Sequence, residues 1–337
     1  MLQKHENYPL KELNTFHFDV RAKEFIVTDN VDDIREWIIQ EKPSVENLLV
    51  LGGGSNILFA GDHKGTIIHP LFDQIKIIYE DNDTVLIEAG AGKKWDDFVD
   101  FCVGNSYHGV ENLSLIPGTV GAAPVQNIGA YGCEAKDVIE KVNGIFLDSG
   151  DLLPLFSSEC NFGYRNSIFK NKLKNRLLVT SVVFRLSKKE VFNLSYGRLE
   201  EKTKEFGEIN LQNIRKAVIE VRSSKLPDPD ITGNAGSFFK NPEIPFEQFE
   251  KLKETYPGIP GYPLDNEKVK VPAGWLIDKA GWKGKAMGEA AVHSEQALVL
   301  VNRRNATGKD ILNLASAIEK DIKAKFGIKL EKEVIVI

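Results

Sequence analysis

Two glycine-rich stretches contain the residues whose types and spacing best suit ligand binding. The first, Gly52–Asn56, directly follows the apolar run Leu48–Leu51, and the second extends from Ile116 to Gly132. Because glycine permits positive φ and a close approach of the backbone, such stretches can direct several N–H groups at a diphosphate. An ordinary pair of tight turns is the alternative, and it is favoured for the second stretch taken alone. A strand that opens into glycines often holds a nucleotide phosphate, which strengthens the phosphate interpretation of the two stretches together.

Neither stretch fits a standard nucleotide-binding motif. The dinucleotide fingerprint needs a glycine where Ile57 stands, and the lysine and hydroxyl residue of a Walker A loop are missing. The stretch 116–132 contains no lysine or arginine, so backbone amide dipoles would have to hold a phosphate there.

Ser237 is a small polar residue between a glycine and two phenylalanines. A hydrolase nucleophile elbow needs glycine two residues before and two after the serine, where this chain has Ala235 and Phe239. Acyl transfer is therefore disfavoured, and from the residues alone the serine ends a turn before a strand.

Glu333 and Arg165 are charged candidates for a role in a site. Strand alternation would place Glu333 on the same face as Ile335 and Ile337, where a carboxylate either has a partner or resists ionisation. A charge on an edge strand at a frayed terminus is an equally weighted alternative. Arg165 could hold a carboxylate with two parallel hydrogen bonds, although a surface arginine is the more frequent case.

The composition is that of a globular protein with more than one domain. The chain has 337 residues, 42% hydrophobic and 27% charged, and a formal net charge of −5, which gives no reason to expect a nucleic-acid or membrane-surface partner. Cys102, Cys133 and Cys160 are widely spaced, so we expect no disulfide framework and a reducing cytoplasm. The histidines show no metal-ligand spacing, and no metal is expected.

The elements that must position these residues follow from periodicity and end signals. A β-α-β opening unit with a helix capped by Asn30 is expected first, then short strands from about residue 66. Helices are predicted at 31–38, 95–102, 210–224, 246–252 and 311–322, and strands at 48–51, 57–59, 66–68, 75–79, 84–88, 138–147, 176–186, 191–196, 297–301 and 330–337. Pro227 ends the predicted helix 210–224, and a domain boundary is expected near residue 226.

Six motifs carry a resemblance to a known family: Leu51–Asn56, 116–132, Gly163–Phe169, Lys225–Pro229, Gly233–Pro242 and Leu330–Val334. Together they resemble the UDP-N-acetylenolpyruvoylglucosamine reductase family, the flavoenzymes of bacterial peptidoglycan precursor synthesis. The match spans almost the whole chain in the family's order. Tyr196-Gly197 resembles the loop tyrosine of the longer, type I form.

The resemblance implies an α+β protein with a two-domain FAD-binding fold of the vanillyl-alcohol-oxidase (PCMH) type and a C-terminal α+β substrate-binding domain. The implied domains are residues 1–65, with strand 329–337 as a candidate addition, residues 66–225 and residues 226–328. FAD is implied to bind non-covalently. The residues implied to bind it are Gly52, Gly53, Gly54, Ser55, Asn56, Ile116, Pro117, Gly118, Thr119, Gly121, Ala122, Gln126, Asn127, Ile128, Gly129 and Arg222.

The resemblance also implies a reaction. NADPH, as co-substrate, reduces the flavin and departs, and the enolpyruvyl ether of UDP-N-acetylglucosamine then takes hydride from flavin N5. Arg165 and Glu333 are implied to flank the substrate carboxylate, and Ser237 to give the proton to carbon. The residues that match substrate-contacting positions are Tyr131, Tyr196, Lys225, Asn241 and Gln296.

The implied protein is a cytoplasmic monomer that acts on a small molecule. At Ile335 the chain departs from many relatives, which have arginine there.

Two alternative functions remain open. One is a flavin-dependent oxidase on the same fold, for which His108 and Cys133 are the nearest tether candidates. The other is a non-catalytic nucleotide-binding protein, against which Arg165, Ser237 and Glu333 argue when they occur together.

Overall fold

The computed structural model describes residues 1–264 and 267–337, and it contains both helices and sheets, as an α+β protein does. The strands are β1 (Gln3–Pro9), β2 (Arg21–Thr28), β3 (Leu48–Val50), β4 (Ile57–Leu58), β5 (His63–Pro70), β6 (Ile75–Glu80), β7 (Thr84–Gly90), β8 (Gly129–Ala130), β9 (Cys133–Glu134), β10 (Ile139–Phe146), β11 (Leu152–Phe156), β12 (Leu177–Ser187), β13 (Gly233–Ser237), β14 (Glu243–Pro245), β15 (Tyr262–Pro263), β16 (Lys268–Lys270), β17 (Ala286–Met287), β18 (Ala290–Val292), β19 (Val299–Asn302) and β20 (Ile335–Val336). The α-helices are α1 (Val31–Glu41), α2 (Trp95–Gly104), α3 (Leu199–Lys204), α4 (Leu211–Lys225), α5 (Phe246–Thr255), α6 (Ala273–Lys279) and α7 (Gly308–Phe326).

The chain forms two compact units. Unit 1 comprises Met1–Tyr8, Ala22–Gly53 and Lys64–Arg222, and unit 2 comprises Pro9–Arg21, Gly54–His63 and Ser223–Ile337. The finer division into three functional domains stays a prediction. None of the helices within the two described ranges is long and apolar enough to cross a bilayer.

Unit 1 is built on two sheets. One has the order β1-β2-β5-β3, with β3 and β5 parallel, and the other is antiparallel with the order β11-β10-β12-β7-β6. The helix α1 begins at the predicted cap, because Asn30 Oδ1 accepts the N–H groups of Asp32 and Asp33 at 2.7 and 3.3 Å. The apolar face of α2, including Trp95 and Phe98, lies in the core of this unit.

Unit 2 contains the antiparallel sheet β13-β19-β18-β17, the small sheet β14-β16-β15 and the parallel pair β20-β4. The long helix α7 packs against β18 and β19. It ends as predicted at Gly327, whose φ of 67° is the left-handed conformation of a C-cap glycine.

Two predicted strands differ from the structure. Residues 191–196 form no strand, because the Asn193 side chain bonds the Gly132 carbonyl and the Ser195 amide, which competes with a strand ladder. The closing strand 330–337 is shortened to β20, because this segment changes partner. Residues 331–333 bond the backbone of 238–240, whereas Ile335 pairs with Ile57.

Candidate functional site

The two glycine-rich loops pack closely against each other in unit 1. A Cβ atom added to Gly52 would lie 2.6 Å from Thr119 Oγ1, and one added to Gly53 would lie 3.2 Å from Gly118 Cα. Gly118 itself has a φ of 120°. A side chain at Gly52 would overlap the Thr119 hydroxyl, and one at Gly53 would press on the Gly118 backbone. The structure therefore brings together two loops that the sequence analysis linked only through a shared ligand.

Backbone amides are among the polar groups that these loops offer. Within the described residues, the amides of Gly52, Gly53 and Gly118 donate no hydrogen bond. Gly53 is exposed, and the other two are half-buried. Since no acidic residue occurs in 52–56 or 116–122, the loops fit a phosphate group.

The start of the second loop is held by charged side chains. Leu115 adopts a left-handed conformation with a φ of 57°. Its N–H donates to Asp96 Oδ1 at 2.5 Å, and its carbonyl accepts from Arg222 Nε at 3.2 Å. Arg215 in turn holds both Asp96 oxygens, at 2.7 and 2.9 Å. Burial lowers the pKa of the Arg222 guanidinium, and the charge of Arg165 adds to this lowering.

Tyr131 and Tyr196, both predicted to contact substrate, meet in unit 1. Their rings lie edge to face, with centroids 5.8 Å apart. The fully buried Asn112 donates to the carbonyls of Tyr131 and Asn193, at 2.9 and 2.7 Å, and so ties the loop that carries Tyr196 to the residue it faces. Tyr196 is exposed, and burial raises the pKa of Tyr131.

Arg165 lies in a tight turn beside the second glycine loop. Its φ is 51°, and its Nη2 donates to the Gly129 carbonyl at 3.0 Å. The Asn127 side chain bonds this turn to the chain near Lys136. Its Nδ2 donates to the Gly163 carbonyl at 3.1 Å, and its Oδ1 accepts from the Lys136 amide at 3.0 Å. The Asn127 side chain, fully buried, thus fixes the shape of the loop.

Ser237 and Glu333 lie on adjoining segments of unit 2. Ser237 is the last residue of β13 and is half-buried. The Glu333 amide donates to the Phe238 carbonyl at 2.8 Å, and the Lys240 amide donates to the Glu331 carbonyl at 2.9 Å. The structure therefore places the backbone segments that carry Ser237 and Glu333 side by side.

The end of the first glycine stretch belongs to the same part of unit 2. Asn56 Nδ2 donates to the Glu333 carbonyl at 3.3 Å, and the Ile335 amide donates to the Asn56 carbonyl at 3.0 Å. A Cβ atom on Gly54, whose φ is 63°, would lie 2.0 Å from the Leu13 carbonyl oxygen. Ser55, between them, is half-buried.

Asn241 and Gln296 both lie at the start of α6. Asn241 Oδ1 accepts the Ala273 amide at 3.0 Å, and Gln296 Oε1 lies 3.6 Å from where a Cβ of Gly274 would be. Lys225 is exposed at the end of α4. The remaining loop residues predicted to bind cofactor lie along 116–129 in unit 1, and these are Ile116, Pro117, Gly121, Ala122, Gln126, Ile128 and Gly129.

Sequence reasoning assigned no role to several polar residues that hold these loops. Asp96, Asn112 and Asn193 carry no local signal, since their partners lie far along the chain. Asn234 does carry one, because an asparagine two residues before a glycine is typical of a turn closed by its own side chain.

Two protein-family profiles match this chain. The profile described as "FAD binding domain" matches residues 25–154, and the one described as "UDP-N-acetylenolpyruvoylglucosamine reductase, C-terminal domain" matches residues 228–337. The UDP-N-acetylenolpyruvoylglucosamine reductase of Bacteroides fragilis is 46% identical over 98% of both chains. The chain belongs to the UDP-N-acetylenolpyruvoylglucosamine reductase family.

Other members of the family are similar over the same length. The reductases of Flavobacterium johnsoniae and Pseudomonas savastanoi are 45% and 44% identical, each over 98% of both chains. The crystal structure of the reductase from Thermus caldophilus has the same fold, with a TM-score of 0.68 and 24% identity over 100% of this chain and 98% of that one. The resemblance, the fold class and the FAD cofactor predicted from the sequence are thereby confirmed.

Proposed function

We propose that this chain reduces the enolpyruvyl ether of UDP-N-acetylglucosamine to UDP-N-acetylmuramate, with FAD as cofactor and NADPH as electron donor, in peptidoglycan precursor synthesis. Identity of 46% over 98% of the chain to a reductase of this family supports the reaction. The observation that carries the residue assignment is the direct hydrogen bonding between the segment after Ser237 and the segment with Glu333.

FAD would bind non-covalently in this proposal and, when bound and reduced by NADPH, would supply the hydride for the reaction. The amides of Gly52, Gly53 and Gly118 hold the diphosphate, and the guanidinium of Arg222 adds positive charge beside the loop. The close packing of the two glycine-rich stretches supports this assignment of their amides. The other residues proposed to contact the cofactor are Gly54, Ser55, Asn56, Ile116, Pro117, Thr119, Gly121, Ala122, Gln126, Asn127, Ile128 and Gly129.

The protein's own groups act where charge develops on the substrate. Hydride addition to the terminal carbon leaves negative charge on the neighbouring carbon, delocalised into the carboxylate. Arg165 and Glu333 stabilise this enolate, and a fixed donor at such a position contributes about 10²–10³ in rate. Since two carboxylates repel, Glu333 acts as a protonated acid or through a bridging hydrogen bond. Ser237 gives the proton to carbon, a general-acid step that contributes about 10²–10⁴.

The remaining assignments concern substrate binding. Lys225 holds the substrate diphosphate as a point charge. Tyr196 closes over the uridine diphosphate against Tyr131. Asn241 and Gln296, which lie beside the first residues of α6, also contact the substrate. The edge-to-face contact of the two tyrosine rings supports the pairing of their roles.

We also propose that the protein is a cytoplasmic monomer that binds neither nucleic acid nor membrane. The free state of Cys102, Cys133 and Cys160 is consistent with a reducing compartment. The proposed domains are residues 1–65, residues 66–225 and residues 226–328, with strand β20 added to the first.

Anaerobic stopped-flow spectroscopy tests the proposal. We expect NADPH to bleach the flavin absorbance and the enolpyruvyl sugar nucleotide to restore it. In the variant Ser237→Ala, NADPH should still bleach the flavin, but restoration by the substrate should slow by at least about 10². Normal restoration in this variant would reject the role of Ser237, and a flavin that the substrate never reoxidises in the wild type would reject the reaction.

A further inference from the structure

Strand β13 contains a bulge immediately before Ser237. Asn234 pairs with Val301 and Ser237 pairs with Val299, so three residue steps on β13 face two on β19. Gly236 absorbs the extra residue with a φ of 67°. Bulges insert one residue into one strand of an antiparallel pair and redirect a side chain, and they occur often next to active sites.

The bulge decides which face of the sheet Ser237 occupies. Val299 and Val301 are two residues apart on β19, so their side chains share a face. Directly opposed residues of an antiparallel pair also share a face, which places Asn234 and Ser237 on that same side. In a regular strand, residues three apart would face opposite sides.

The side chain of Asn234 holds the bulge in this conformation. Its Oδ1 accepts the Gly236 N–H at 2.8 Å, and its Nδ2 donates to the carbonyls of Thr232 at 2.8 Å and of Pro227 at 3.3 Å. Asn234 is 4% exposed, so water cannot readily replace these bonds. Pro227 lies two residues after Lys225, which connects the bulge to the loop proposed to bind the substrate diphosphate.

We propose that Asn234 is a positioning residue that fixes the bulge at Gly236 and thereby directs the Ser237 hydroxyl to the face where it delivers its proton. This inference rests on the proposed role of Ser237. Asn234 acts only through the backbone, so it should affect the half-reaction that needs the proton and leave the reduction by NADPH unchanged.

The test compares Asn234→Ala with a matched buried asparagine in the same sheet. Asn302, 8% exposed, donates to the Phe16 carbonyl and accepts the Ala306 amide, both at 2.9 Å, and neither bond involves the bulge. In the FAD-loaded enzyme, we expect Asn234→Ala to slow reoxidation by the substrate about tenfold or more and to increase its solvent deuterium isotope effect, with flavin reduction within about twofold of wild type. Asn302→Ala should leave both rates within about twofold.

A structural readout independent of turnover accompanies the kinetics. Hydrogen exchange at the Gly236 amide should accelerate in Asn234→Ala and remain slow in Asn302→Ala. If Asn234→Ala does not fold, Gly236→Ala and Gly236→Asn decide, because a Cβ at Gly236 meets nothing within 4 Å and only the backbone conformation is tested. Alanine disfavours positive φ more than asparagine, so reoxidation should be slower in Gly236→Ala.

The outcomes separate the two levels of the argument. Impaired reoxidation in both Ser237→Ala and Asn234→Ala supports the positioning role. If reoxidation is impaired in Ser237→Ala, three results would overturn the positioning role and leave the proposed function intact. These are a normal reoxidation rate in Asn234→Ala, equal effects of Asn234→Ala and Asn302→Ala, or equal reoxidation rates in the two Gly236 variants. Normal reoxidation in Ser237→Ala removes the basis of both.

Discussion

The ion pair between Asp96 and Arg215 should contribute more to stability than any exposed pair of similar geometry. Arg215 contacts both Asp96 oxygens at 2.7 and 2.9 Å and Asp100 at 3.2 Å, and its side chain is 12% exposed. Removing one partner of a buried pair costs about 3–5 kcal/mol, and Asp96 is 31% exposed, which reduces the cost. For Arg215→Ala we expect a loss of about 2–3 kcal/mol, which corresponds to a melting temperature lower by roughly 5 °C.

The control is a pair with the same hydrogen bonds and more water. Arg185 holds both oxygens of Glu140 at 2.9 Å, but the two side chains are 50% and 34% exposed. Arg185→Ala should therefore cost no more than about 1 kcal/mol. Urea unfolding and calorimetry of the two variants measure the difference. Equal losses in the two variants would refute the reasoning from burial.

The ion pair between Asp96 and Arg215 should also make the stability of the protein depend on pH. Burial alone would raise the pKa of the Asp96 carboxyl, but the hydrogen bonds from Arg215 and the Leu115 amide outweigh it, and the pKa lies below its ordinary value of 3.8. A lowered pKa gives stability that is fully present above the ordinary value and is lost as the pH falls through the folded-state value. The stability difference between wild type and Arg215→Ala should therefore decrease below about pH 4, as unfolding at a series of pH values would show.

Two further predictions concern binding. Gly52→Ala should weaken FAD binding at least about tenfold, since the new Cβ would lie 2.6 Å from Thr119 Oγ1. The control Gly104→Ala, whose Cβ meets nothing within 4 Å, should not weaken it. Fluorescence titration of the apoprotein with FAD measures the affinity of both variants. Tyr196→Phe should raise the KM for the sugar nucleotide several-fold with little change in kcat, because it removes a hydroxyl from the proposed lid; steady-state kinetics test this, and a loss of kcat alone would count against the lid.

Local signals in the sequence predicted the starts of α1 and α4 and the end of α7, and they indicated that the two glycine-rich loops could bind a ligand. Asn30 and Asn210 cap α1 and α4 through bonds to amides two or three residues away, and Gly327 ends α7 through its own backbone conformation. The glycines of 52–56 and 116–132 likewise indicate close approach without naming the partner. Each of these features depends on residues within one turn of chain, and short-range patterns suffice to predict it.

Only the tertiary structure decided how the loops and strands position the candidate functional side chains. The packing of Gly52 on Thr119, the bonds of Asn193 that replace a predicted strand and the division of segment 330–337 between two partners all involve residues far apart in sequence. The face of β13 that Ser237 occupies also depends on residues far apart in sequence. Residue alternation predicts a face only for a regular strand, and pairing with β19 makes this strand irregular at one glycine, because an asparagine side chain bonds the backbone there.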